Sequence, residues 1–163
     1  MGNKSSLNSI DPAQISNLPR KGMMTKCKIV NIHDGDTVTI VYMIGKGVPF
    51  KINLRLEGID APELGSKNNL EKRCAKTVSK WLASKLSRQR YWWVIPKKWD
   101  KYGGRIIGAL YAHPDPLSES VCDEMINRGL VVPYNGGKKE AWTSSILKNI
   151  LDTTYSPEDT DSF

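Results

Sequence analysis

A chain of 163 residues with 39% hydrophobic and 25% charged side chains has the size and composition of one globular domain with its own core, and no apolar run reaches membrane-span length. The net charge is +7, but the last twelve residues hold Asp152, Glu158, Asp159 and Asp161 without a Lys or Arg, so residues 1–151 carry +11. Such a surplus suits a polyanionic partner and equally suits a solvated basic surface, and charge alone does not choose between them. The three widely spaced cysteines, Cys27, Cys74 and Cys122, form no Cys-x-x-Cys pair and have no nearby histidines, which argues against a zinc set and for reduced, buried thiols.

The first twenty residues are polar, with no apolar segment of the kind that opens a secretory signal. With the unpaired thiols, this points to an intracellular, cytoplasmic protein rather than a secreted one. Met1-Gly2-Asn3-Lys4-Ser5-Ser6 fits the pattern for N-myristoylation of Gly2. The alternative is a plain disordered arm running through Pro12 and Pro19. A single acyl chain binds membrane only marginally, so Lys4, Arg20 and Lys21 would have to assist it.

Strand signals dominate residues 26–57, where Lys26–Ile32, Gly35–Ile44 and Phe50–Glu57 are rich in Val, Ile and Thr and are separated by glycine-containing turns. In the third segment Ile52, Leu54 and Leu56 alternate with Asn53, Arg55 and Glu57, which sends the leucines inward and Arg55 away from the core. Over residues 68–88 the period changes: Leu70, Cys74, Val78, Trp81, Leu82 and Leu86 fall on one helix face, with Asn68 as N-cap and Glu71 at its third position. Two strands follow, Tyr91–Lys97 and Arg105–His113, then a helix from Ser118 to Arg128 stopped at Gly129. A last helix, Lys139–Leu151, would bury Trp142, Ile146, Leu147, Ile150 and Leu151. This order predicts an α+β, mainly β fold: a five-stranded OB-type barrel with about three helices over residues 25–151, flanked by the arm and by an acidic disordered tail, residues 152–163.

Three blocks carry chemistry. Asp34-Gly35-Asp36-Thr37 is on its own a good turn, yet Asp36 opens a strand and Asp60 closes one, so a barrel can bring both carboxylates together as oxygen ligands for a hard cation. Arg55 to Glu63 supplies a guanidinium, a carboxylate at Asp60 and a second acid at Glu63, with Pro62 stiffening the bend. Attack on a phosphodiester requires charge neutralised on the non-bridging oxygens and a group that prepares water. The competing explanation for Arg55 alone is a surface ion pair with Glu57 or Glu63. The third block, Asp100-Lys101-Tyr102-Gly103-Gly104-Arg105, lies in the turn between two strands.

In this order the blocks resemble the signature of the staphylococcal nuclease family, over about residues 25–150. The resemblance implies that Asp36 and Asp60, with the main-chain carbonyl of Ala61, bind one Ca²⁺. It implies that Arg55 and Arg105 grip phosphate, that Glu63 is the general base or orders the attacking water, and that Lys101 and Tyr102 contact nucleotide phosphate. Tyr134 resembles the family's base-stacking tyrosine. The implied activity is Ca²⁺-dependent hydrolysis of DNA, single-stranded preferred, and of RNA, leaving 3′-phosphate ends, by a monomer.

The sequence departs from the family pattern at three places. Ala61 replaces a threonine, which a carbonyl ligand tolerates. The extra glycine of Gly103-Gly104 makes the placement of Arg105 depend on the turn, and Gly136 stands where a second tyrosine is expected. The rival is a non-catalytic binding module of the same barrel, membrane-tethered if Gly2 is acylated, but such modules lack parts of the set that this chain keeps. His33 and His113 read as structural, Trp92, Trp93 and Trp142 as core or core margin, and Lys97-Lys98 as a solvated pair.

Overall fold

In a computed structural model that describes residues 9–153, the strands are β1 (Thr25–Ile32), β2 (Thr37–Gly45), β3 (Val48–Leu56), β4 (Ile59–Asp60), β5 (Trp92–Trp99), β6 (Arg105–Tyr111) and β7 (Val132–Pro133). The helices are α1 (Asn69–Ser87), α2 (Val121–Asn127) and α3 (Ser144–Thr153). Five of the strands close into a barrel in the order β1-β2-β3-β6-β5, antiparallel except for the parallel β3–β6 pairing. The expected OB-type barrel with three helices is thus present, and it is fully closed by the β1–β5 ladder rather than left partly open. Gly2 and most of the acidic tail lie outside the described residues.

Alternation fills the barrel. Val38, Ile40 and Tyr42 of β2, Leu54 and Leu56 of β3, Val94 of β5 and Ile106 and Leu110 of β6 all point inward and are at most 1% exposed. Each such burial is worth roughly 1.5–3 kcal/mol, so this interior is the main source of stability. α1 closes one side with Cys74, Ala75, Val78, Leu82 and Leu86. Its N-terminus is capped as expected, Asn68 Oδ1 accepting from the amides of Leu70 (2.9 Å) and Glu71 (3.3 Å). All three cysteines are free and buried, and burial pushes the Cys27 and Cys122 thiols up to about 12.

The differences from expectation cluster after residue 110 and before residue 25. α2 starts three residues later than Ser118, because Ser120 is its cap, reciprocated by the Asp123 side chain. It stops as expected at Gly129, where Gly129 N donates to Ile126 O and Leu130 N to Met125 O. α3 begins at Ser144, not Lys139: Thr143 Oγ1 accepts from Ile146 N (3.3 Å), and the preceding residues run along the barrel mouth instead. Leu147 and Ile150 are buried as expected, whereas Ile146 is exposed. Within the presumed free arm, Leu18 enters the core, Tyr42 Oη donates to Pro19 O (3.1 Å) and Gly22 N donates to Pro96 O (2.7 Å). The two-residue strands β4 and β7, too short for any periodic pattern, pair Ile59 with Pro133 and Asp60 with Val132.

Candidate active site at the mouth of the barrel

Close backbone approach sets the acids in place. A Cβ on Gly35 would stand 2.8 Å from both Ala61 Cβ and Val78 Cγ1, so only glycine lets this turn press against the end of β4 and the flank of α1. Asp36 then follows with its amide donating to Asp34 Oδ1 (3.0 Å) and its carbonyl accepting from Leu56 N (2.8 Å). The β2–β3 register sets Thr37 opposite Arg55. Asp36 and Asp60 thereby reach the same guanidinium, Arg55 Nη2 lying 3.4 Å from Asp36 Oδ2 and 3.8 Å from Asp60 Oδ1. Ala61 N faces Asp36 Oδ2 at 3.4 Å.

Arg55 points away from the barrel interior, as alternation requires, yet is only 9% exposed. Its Nη1 donates to the carbonyls of Leu56 (3.2 Å) and Ile59 (3.1 Å), and its Cζ sits 5.7 Å from the centre of the Tyr134 ring. A buried guanidinium fixed by two carbonyls and two carboxylates is no surface ion pair, and neither Glu57 nor Glu63 holds it. Glu57 instead binds Lys97 (2.5 Å).

Glu63 stands at the rim with its side chain 62% exposed, and its nearest cation is Lys139, Nζ to Oε1 3.2 Å. The same Nζ lies 2.7 Å from Asp60 Oδ1. Lys139 is the main functional residue that sequence reasoning missed, since its period with Trp142 reads as helix, and only the observed bend at 136–138 brings it over the acids. Glu71 also has an unexpected job. Its carboxylate accepts from Glu63 N (3.0 Å) and Ser66 Oγ (2.6 Å), so it ties the loop bearing Glu63 to the start of α1 rather than closing a capping box.

The donors suit a hard cation. Among the described residues no three carboxylate, imidazole or thiol groups converge as a metal set. Two carboxylates do, and Asp60 Oδ1 is a buried oxygen with no well-directed hydrogen bond, faced among the described residues by the charges of Lys139 and Arg55. Carboxylate oxygens completed by a carbonyl and water are ordinary Ca²⁺ chemistry. Asp60 itself does not line the open cavity and lies beneath Lys139, whose ammonium holds the place of a positive charge there. Contact with Asp60 and Glu63 outweighs the opposing effect of burial and raises the Lys139 pKa.

The extra glycine is absorbed. Gly103 (φ 74°) and Gly104 (φ 71°) take successive left-handed conformations that side chains disfavour, while Gly103 N donates to Asp100 O and Asp100 N to Arg105 O, both at 3.0 Å. Arg105 therefore starts β6 beside β3, and its Nε forms a close ion pair with the carboxylate of Asp100. Burial works against the charged form of Asp100, but the Arg105 hydrogen bond and charge, helped by the Tyr102 amide and Arg55, outweigh it and hold this carboxyl below the usual aspartate range. Burial and the neighbouring Asp36 charge push Asp34 the other way, upward.

Two adjoining cavities result. The smaller, about 270 Å³, is lined by Asp36, Arg55, Ala61, Glu63, Arg105 and Lys139 among others. The larger, about 650 Å³, shares Arg55, Arg105 and Lys139 with it and adds Lys98, Lys101, Tyr102 and Tyr134. Tyr102 is 79% exposed with Lys101 Nζ 4.9 Å from its ring centre, and Tyr134 is fixed by its Oη donating to Gly137 O (2.8 Å). Every residue that the sequence singled out for metal, phosphate or base is thus gathered at one end of the barrel. His33, paired with Thr39 Oγ1 at 2.7 Å, stays outside it.

The family model described as staphylococcal nuclease homologue matches residues 53–150, from Arg55 onward but without the Asp36 block. The chain is 28% identical over 131 residues to the Penicillium rubens protein named probable endonuclease lcl3, covering 66% of this chain and 44% of that one. It is 34% identical over 88 residues to a protein named probable endonuclease from Schizosaccharomyces pombe, covering 52% of this chain and 37% of that one. The chain thus spans less than half the length of either relative. With the family model covering more than half of the chain, over a closed barrel of matching architecture, the chain belongs to the staphylococcal nuclease family.

Proposed function

We propose that this chain is a Ca²⁺-dependent nuclease that hydrolyses phosphodiester bonds of DNA, single strands preferred, and of RNA, and leaves 3′-phosphate ends. The observation that carries this is the convergence of Asp36, Arg55, Glu63 and Arg105 on one small cavity with Asp60 directly beneath it. Asp36, Asp60 and the Ala61 carbonyl would hold the ion, which when bound polarises phosphoryl oxygen as a Lewis acid.

The protein's own groups do the rest. Arg55 and Arg105, already oriented by fixed partners, present guanidinium charge where phosphoryl oxygens gain charge, and little reorganisation is needed at the moment of reaction. Glu63, at the rim and reachable by solvent, takes the proton of the attacking water. Lys139 balances Asp60 and Glu63 until phosphate and ion arrive. The larger cavity, with Tyr134 and Tyr102 in its wall, accepts a base that has left its stack, which single strands offer at lower cost than duplex.

The test is degradation of end-labelled denatured DNA by purified protein, with Ca²⁺, Mg²⁺ and chelator in parallel. Cleavage with Ca²⁺ to phosphatase-sensitive 3′ ends is expected. Absence of cleavage, or cleavage unaffected by chelator, contradicts the proposal.

A further inference from the structure

One exposed cluster has no part in the site described above. From Lys72 to Trp99 the chain has nine Lys and Arg and no acid. Lys85 and Lys97 of this run are neutralised by Glu124 and Glu57, both at 2.5 Å. On the seam where β1 meets β5, Lys26 pairs in register with Trp93, and its Nζ lies 5.3 Å from the Trp93 ring centre and 5.4 Å from that of Tyr91. The Arg90 guanidinium covers Tyr91 at 5.3 Å. Lys28 follows Lys26 on the same outer face of β1. Among the described residues no carboxylate pairs with Lys26, Lys28 or Arg90.

Tyr91 is 43% exposed, and Trp93, expected in the core or at its margin, is partly buried yet does not join the hydrophobic cluster that takes in Trp81, Trp99 and Trp142. The β1–β5 ladder closes the barrel through main-chain bonds, so it does not require two large rings on its outer side. Cations set around an exposed and a partly buried aromatic ring, with no paired acid among the described residues, match what a single strand presents: repeated phosphates and bases with π-faces.

We propose that Lys26, Lys28, Arg90, Tyr91 and Trp93 form a second binding site, for the backbone and bases of a single-stranded polynucleotide, distinct from the cavity of the acids. It lies at the opposite end of β5 from Asp100, about 25 Å away at roughly 3.3 Å per strand residue. Both ends share one face: Trp93 points outward on β5, and beyond the irregularity at Pro96/Lys98 so does Lys98, which pairs with Ile107 and lines the larger cavity. A strand engaged at the mouth can continue along this face, so the site favours long substrates over short ones. This rests on the nuclease reading for its purpose, not for its binding.

The experiment measures binding of fluorescent oligothymidylate of five and of thirty nucleotides, in chelator so that nothing is cleaved, to the wild type and to the double variant Lys26→Glu, Arg90→Glu. The thirty-mer is expected to bind the variant at least about tenfold more weakly, with a salt dependence shallower by about 1.4 for two lost phosphate contacts, while five-mer binding is unchanged. Lys28→Glu, which touches neither ring, guards against misfolding and should flatten the slope by about 0.7. Equal thirty-mer affinity and slope in wild type and both variants overturn the site. If the thirty-mer weakens but the wild type cleaves no DNA with Ca²⁺, the second site stands and the nuclease reading falls.

Discussion

The barrel interior and the barrel mouth are built from the same strands by opposite physics. Inside, the side chains of Val38, Ile40, Leu54, Leu56, Ile106 and Leu110 are held by burial, a force without direction that tolerates any well-packed arrangement. At the mouth, one residue away along the same strands, Thr37, Arg55, Arg105 and Asp36 are held by directed contacts: a guanidinium between two carbonyls and two carboxylates, an arginine locked on Asp100. The interior stores stability, and the mouth uses part of it to keep Asp34, Asp36, Asp60 and Glu63 close together against their mutual repulsion.

If that division is right, the two regions fail differently. Leu54→Ala leaves a cavity in the barrel centre and should lower unfolding free energy by about 2–5 kcal/mol, while the rate per folded molecule stays near wild type. Urea denaturation with activity measured below the transition checks this, and a large rate loss in fully folded protein would break the comparison. Asp100→Asn tests the boundary between the regions, because Asp100 is buried yet serves Arg105. It should cost about 1–2 kcal/mol at neutral pH. Since the folded carboxyl titrates below its unfolded value of about 3.9, that cost is fully present above this pH and shrinks as pH falls through the folded value. Denaturation at pH 7, 5 and 3 reads the trend; a gap that widens on acidification would contradict the ion pair.

Much of the interior was legible because a strand's period of two and a helix's of 3.6 act over many residues: Leu54 and Leu56 inward, Val78 and Leu82 inward, Asn68 capping, Gly129 stopping. The site was legible in part, through the ordered blocks, which name Asp36, Arg55, Asp60, Glu63 and Arg105 but not what holds them. Lys139, Glu71 and Asp100 act across 79, 8 and 5 positions from Asp60, Glu63 and Arg105. No period connects such residues. Lys139 was hidden further because Trp142 and Leu147 beyond it suggest a helix that would carry it outward, whereas the observed chain bends at 136–138 and starts the helix only at Ser144. Trp93 was legible only as core or core margin: the pleat that buries Trp92 sets its neighbour on the outer side, opposite Lys26, where it is partly buried.

The proposed function requires the acids and arginines at the mouth to be a working active site rather than a charged plug in the barrel. Glu63→Gln tests it most directly: Glu63 is the most exposed member, so its loss should leave stability within about 0.5 kcal/mol of wild type. The measurement is the rate of hydrolysis of denatured DNA with saturating Ca²⁺, wild type against variant. A fall of about 10²–10⁴-fold at unchanged stability is predicted; an unchanged rate would contradict the account.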